Sequence, residues 1–235
     1  MTKSQIKDAI RNIKKNFVSY ISILLISMLS IATYMGVSSA SVNLENGASD
    51  FYKDSNFYDI EVFSTLLLND SDIEAFRGLE SVESVVPFYY TNGSCENKDE
   101  QENVNIISDT GDVCVPYEIE GSRPESENEC MIEDRLAESL KYKIGDKINI
   151  IGNDGGTASY LKESSFVITG IFKTPLHIKP SVNENSYIIM NDSSFDTEKL
   201  RGCYMRAYIR IKGRGDGNYF SEDYEAKVNS VKKEI

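Results

Sequence analysis

The residues able to do chemistry are few. The single histidine, His177, lies in Pro175-Leu-His-Ile-Lys-Pro180. Its imidazole is the one side chain that ordinarily titrates near neutral pH, so it would be the natural general base. A base needs a nucleophile and an orienting acid, and neither stands near it in sequence. It reads as a loop residue with no catalytic role. Gly152-Asn-Asp-Gly-Gly156 has the glycines of a phosphate cradle but not the lysine and hydroxyl that would hold phosphate and magnesium. Asn69-Asp-Ser-Asp72 and Asn191-Asp-Ser193 offer oxygen ligands without the glycine and distal glutamate of a calcium loop, and read as turns and helix caps. The many acids form no recognisable catalytic pair. No catalytic residue, metal ligand or cofactor site is expected.

Four cysteines, Cys95, Cys114, Cys130 and Cys203, are widely spaced with no C-x-x-C pair, unlike most zinc sites. In an oxidising compartment they allow up to two disulfides in three connectivities; buried free thiols are the alternative. The net charge of −12 and pI near 4.7 would repel phosphates, so no nucleic-acid partner is expected. The mean hydropathy of −0.34 averages one apolar segment with a long polar remainder.

That segment decides where the rest resides. From Phe17 to Leu44 no residue is charged, and about 20 apolar residues cross a bilayer. Lys3, Lys7, Arg11, Lys14 and Lys15 precede it against one acid, Asp8, while Glu45 and Asp50 follow. This places the N-terminus in the cytoplasm and everything after about residue 41 outside. The run exceeds the h-region of a cleavable signal peptide, so an uncleaved anchor is the preferred reading even though Ser38-Ser-Ala40 has the form of a cleavage site. Ile6, Ile10, Ile13 and Phe17 share one face of an amphipathic helix expected along the cytoplasmic membrane surface. Within the span, Ser19, Ser22, Ser30 and Thr33 share one side, where small hydroxyl residues favour close packing against neighbouring transmembrane helices. Hydroxyls bonded to their own helix are the alternative.

The expected organisation is a cytoplasmic helix over 1–16, a transmembrane helix over 17–40, a stalk over 41–56, an extracytoplasmic domain over 57–220 and a further helix from 221 to 235. Phe57–Phe63 alternates like a half-buried strand. Ser71-Asp-Ile-Glu74 has capping-box spacing, and Val82–Tyr90 is β-rich. Asn92–Asn103 has the composition of a solvated loop or insertion. Asp134 is placed to cap a helix through Leu140, and Gly145-Asp146 turns the chain into Lys147–Ile151. Ser165–Phe172, Ser186–Met190 and Tyr204–Lys212 read as strands, and Tyr224, Val228, Val231 and Ile235 as a helical stripe. The fold class is α+β, with a mixed, mostly antiparallel sheet. The sequence stops within a helical pattern, as a piece of a longer chain would.

Arg11-Asn-Ile-Lys-Lys-Asn-Phe17 stands immediately before the apolar span. Glu120-Gly-Ser-Arg-Pro124, Glu129-Cys-Met-Ile-Glu-Asp-Arg-Leu-Ala137, Lys143-Ile-Gly-Asp-Lys-Ile148 and Phe166-Val-Ile-Thr-Gly-Ile171 follow in that order. In these pieces and their order the chain resembles the N-terminal part of FtsX/MacB-like ABC-transporter permeases: the first transmembrane helix and the MacB-like periplasmic core domain. Gly121, Arg123, Pro124, Gly145, Asp146 and Gly170 carry the resemblance as structural residues. It implies a bacterial cell-membrane location and a cytoplasmic ABC ATPase subunit as partner. It also implies a dimeric or pseudo-dimeric assembly in the lipid bilayer, and an outer domain that meets an extracellular protein, peptide or lipid. The domain itself would be non-catalytic, and transport and mechanical signalling both occur in the family. Two other readings fit an anchor plus an α+β ectodomain. One is a single-pass sensor with a ligand-binding ectodomain; the other is a membrane-anchored enzyme, for which no nucleophile and base are in view.

Overall fold

The computed structural model describes residue 7 and residues 11–97, 100–152, 158–177, 184–214 and 219–235, in two units, 1–48 and 49–235. In the first unit, Ile6 and Ile10 lie outside the described residues, and Ile13 is an exposed residue of a helical stretch over 11–15. Helix α1 (Phe17–Asp54) follows. At about 1.5 Å per residue it reaches about 57 Å, longer than a hydrocarbon core. It is the one described helix long and apolar enough to cross a membrane. Ser22, Ser30 and Thr33 donate to the carbonyls of Val18, Ile26 and Leu29 at 2.8–2.9 Å, so their hydroxyls are satisfied within the helix.

The second unit contains two sheets. Strands β1 (Ile60–Leu68), β10 (Tyr204–Ile211) and β2 (Val82–Phe88) form an antiparallel three-stranded sheet with β10 central. Ile60, Val82, Ala207 and Ile209 alternate onto one face, where Ile73 of α2 (Asp70–Arg77) and Val228 and Val231 of α4 (Glu222–Glu234) cover them. The expected C-terminal stripe is therefore the buried face of α4, with Ser221 capping it through the Tyr224 N–H.

The larger sheet runs β5 (Tyr117–Gly121), β8 (Ser165–Lys173), β6 (Glu129–Glu133), β9 (Ser186–Met190), β4 (Glu100–Ser108), β3 (Tyr90–Asn97), β7 (Lys147–Ile151). Because β7 also pairs with β8, six of these strands close into a ring, with β5 laid along the second half of β8. Only β4–β9 and β6–β8 are parallel, so the fold is the expected mostly antiparallel α+β arrangement. A parallel neighbour requires a crossover, and α3 (Asp134–Leu140) supplies part of the one from β6, packing Leu136 and Leu140 onto the core. The period of two is plain in β8, where Phe166, Ile168, Gly170 and Phe172 are buried. A third cluster joins the sheets: Phe88 and Tyr208 of the small sheet meet Met131, Phe172 and Ile189 of the ring. Tyr58 stacks on Tyr208 with centroids 4.1 Å apart. Each fully buried ring here contributes about 1.5–3 kcal/mol.

Three expectations give way. Asn92–Asn103 is not a loop: all but residues 98 and 99, which lie outside the described residues, belong to the β3–β4 hairpin. The stretch's one strongly buried apolar residue, Cys95, faces inward with Val104 and Ile106 just beyond it, each 0% exposed. Gly93 is there for space, since a Cβ would lie 2.9 Å from Ile150 Cγ2. The polar residues have partners: Asn97 donates to the Leu140 carbonyl and Gln101 to Ser94 Oγ. The capping box of α2 lies two residues before the expected one, with Asn69 and Asp72 exchanging bonds at 3.1 and 2.9 Å. Asp134 begins α3 rather than capping it, because Glu133 holds the cap position with its side chain committed elsewhere.

At the β5–β8 pair, Gly121 faces Gly170 with φ of +86°, and a Cβ on Gly121 would lie 2.2 Å from the Thr169 carbonyl. Gly111 has φ of +64° with open space around it. Gly111→Ala should therefore cost only the left-handed penalty of about 1–2 kcal/mol. Gly121→Ala adds about 1–3 kcal/mol of overpacking. Equal losses in urea unfolding would show that the close approach is not a constraint.

Candidate functional site

The strand that follows α1 and the helix that ends the described chain are tied at one buried carboxylate. Asp59 has a side chain 0% exposed, and three groups hold it. Arg214 Nε donates at 3.0 Å, the Ile211 N–H at 2.8 Å, and the Tyr224 hydroxyl completes the set. Arg214 also donates to the Phe57 carbonyl and lies over the Tyr219 ring. The start of β1, the end of β10 and the first turn of α4 thus share one node. Burial, then the Asp59 carboxylate, pushes the Tyr224 phenol up, so it stays a donor. The residues themselves invite no reaction; a buried, fully satisfied ion pair fixes geometry.

His177 is not an isolated loop residue. Its Nδ1 lies 2.7 Å from Oε1 of Glu133, whose other oxygen accepts the Tyr187 N–H at 2.8 Å. Glu133 is 1% exposed and ends the apolar run of β6, and Arg135 Nη1 is 3.9 Å from it. On its other side, His177 Nε2 faces Glu184 at 3.6 Å. A cavity of about 240 Å³ opens beside the pair, lined by Tyr117, Asp134, Lys173 and Thr174 among others. Thr174 Oγ1 accepts the Leu176 N–H at 3.2 Å. The arrangement anchors the segment after β8 to the end of β6. The partners are 44 residues apart, so sequence spacing hid them; the only signal was an acid following the apolar run Cys130-Met-Ile132.

Four of the six motif residues gather around β8, and the other two form a separate group. Gly121 faces Gly170; the Gly145 N–H donates to the Ile168 carbonyl at 2.8 Å; the Asp146 carbonyl accepts the Ile168 N–H, and its carboxylate accepts the Lys143 N–H. Arg123 and Pro124 stand in the loop after β5. Arg123 donates to both oxygens of Asp109, and the Pro124 carbonyl accepts from Asn191.

All four cysteines are free, and only Cys203 is not buried. Burial pushes the Cys95 thiol up to about 12 and raises Cys114 and Cys130 as well. At pH 8 a small disulfide reagent should label Cys203 alone in the folded protein and all four after denaturation. Rapid native labelling of a second thiol would contradict the packing of the ring.

Removing His177 strands a buried carboxylate. His177→Ala should cost about 3 kcal/mol or more, while His177→Gln, which can still donate, should recover at least half. Identical losses in chemical unfolding would mean that the pair is not the anchor.

A profile described as the MacB-like periplasmic core domain matches residues 21–221. A comparison with curated proteins finds no match. Among solved structures, the extracellular domain of the noncanonic ABC-type transporter YknZ from Gram-positive bacteria is similar at 12% identity over 72% of this chain and 80% of that one, with a TM-score of 0.39. The periplasmic region of MacB from Actinobacillus actinomycetemcomitans is similar at 12% identity over 74% and 75%, with a TM-score of 0.40. The profile match runs from inside the apolar helix through the last strand and into the cap of α4. On that match the chain belongs to the MacB-like periplasmic core domain family, a component of ABC-transporter-type permeases.

Proposed function

We propose that this chain is the N-terminal portion of a permease subunit, whose extracytoplasmic domain couples ATP hydrolysis by a cytoplasmic partner to substrate export or extracellular signalling. The observation that carries the reading is the Asp59 node. It joins the strand following α1 to the helix α4 inside one small sheet, so movement of either element is delivered to the same packed unit. Family membership supplies the context of an ABC-type permease. In this reading the ATPase activity resides in the partner chain, and this domain is non-catalytic.

Each segment then has a task. Residues 1–16 lie on the cytoplasmic surface, with Ile6, Ile10 and Ile13 receiving the ATPase movement, and 17–40 span the bilayer with the N-terminus inside, as the flanking charges favour. Because Ser22, Ser30 and Thr33 already bond within the helix, the face they share with Ser19 offers small side chains for close packing against further transmembrane helices. Residues 41–56 are the stalk, 57–220 the outer domain and 221–235 a further helix, in a dimeric or pseudo-dimeric assembly. Gly121, Gly145, Asp146 and Gly170 act by holding the ring together around β8, and Arg123 and Pro124 by tying the loop after β5 to Asp109 and Asn191.

Affinity purification of the native full-length protein from membranes should bring down an ABC ATPase that hydrolyses ATP in the complex. Aspartates at Ile6, Ile10 and Ile13 should lower that turnover at least tenfold. Reproducible absence of an ATPase would overturn the permease reading in favour of a sensor, and unchanged turnover in the triple variant would remove the role of the N-terminal helix.

A further inference from the structure

The two edges of the three-stranded sheet are treated differently. The edge strand β2 carries Pro87, which offers no N–H to a newcomer. β1 has no strand on its outer side among the described residues, and it carries neither proline nor lysine. Proteins usually protect such edges. Here a bulge between Phe63 and Leu68 breaks the register with β10, yet Ile60–Phe63 remain regular strand, and the bulge presents an apolar side chain rather than a charge. Phe63 is 71% exposed and Leu66 91%, the most exposed large apolar residues described in 49–235. Beside them a groove of about 380 Å³ runs between β1 and the last turn of α4, lined by Ile60, Glu61, Val62, Phe63, Lys232 and Ile235.

Open backbone groups beside an apolar floor suit an extended strand. Charge selects among the sources of one. Residues 49–235 hold 35 of the 37 acids but only 20 of the 25 basic residues. The first turn of α2, just beyond Leu66, adds Asp70 and Asp72. A second copy would bring the same acidic surface, and a bilayer rich in anionic lipid would be repelled while leaving the strand edge unpaired.

We infer that the outer edge of β1 docks an extended, basic segment of a partner protein, which adds a fourth strand to the small sheet and sets apolar side chains against Phe63 and Leu66. The inference rests on the proposed extracytoplasmic placement of this domain and names the kind of partner it meets.

The test places a photo-crosslinking phenylalanine analogue at position 63 or 66 of the full-length protein in native membranes, with Glu198 as an exposed control position. Adducts are mapped by mass spectrometry, the crosslinked segment is synthesised, and its binding to the full chain is measured by fluorescence. The expected result is one heterologous protein, crosslinked through an extended segment carrying Lys or Arg. The synthetic peptide should bind at least tenfold more weakly to Leu66→Asp, and at least tenfold more weakly to the native chain when its basic residues are changed to Glu. Adducts only with a second copy, only with lipid, or no more than at Glu198 would overturn it. Co-purification of the ATPase is scored on the same preparations. Its absence beside a mapped segment would sink the transport reading alone, and its presence without one would sink the docking edge alone.

Discussion

The ring depends on one strand having three neighbours. β8 pairs with β6 along one side and divides its other side between β7 and β5. That division works only if the two backbones at Gly121 and Gly170 approach more closely than any Cβ permits. Where β7 leaves β8, the turn at Gly145 and Asp146 substitutes its own backbone groups, bonding the N–H and carbonyl of Ile168. Local geometry at four residues thus determines whether a mixed sheet can close, and the close-packed interior behind it follows from that closure.

Two buried carboxylates do a different kind of work. Glu133 and Asp59 both lie at strand ends, and each gathers segments that are distant in sequence: Glu133 takes His177 and the Tyr187 N–H, and Asp59 takes the Ile211 N–H, Arg214 and Tyr224. Apolar packing alone would hold these elements together without choosing their angles. A desolvated carboxylate with both oxygens engaged admits few alternatives, because a shift that breaks these bonds leaves a buried charge without its partners.

Much of the fold was legible in the sequence, for reasons visible in particular residues. Lys147–Ile151 matches its strand by apolar alternation and Ser186–Met190 by a short apolar run, and Val228 and Val231 are buried as their spacing suggested. The β3–β4 hairpin was hidden over Asn92–Asn103 because the inward residues there include only a glycine and a cysteine, with Val104 and Ile106 just beyond, while the outward residues have loop composition. His177 was not legible as a partner of Glu133, since nothing local connects positions 44 apart. The six motif residues were found as separate weak pieces; the long-range β pairings that assemble them cannot be read from spacing.

The chain enters the small sheet at Ile60 and leaves it near Ile211, and these ends lie side by side because β1 and β10 are antiparallel, Ile60 facing Ile209. A pull applied between them would load the ladder bonds one after another, like opening a zip, rather than all at once as in shear. Such a geometry is mechanically soft. The Asp59–Arg214–Tyr224 cluster sits at the very tooth where that zip would start, so the toughness of the domain under tension is set by three side chains rather than by the length of its strands.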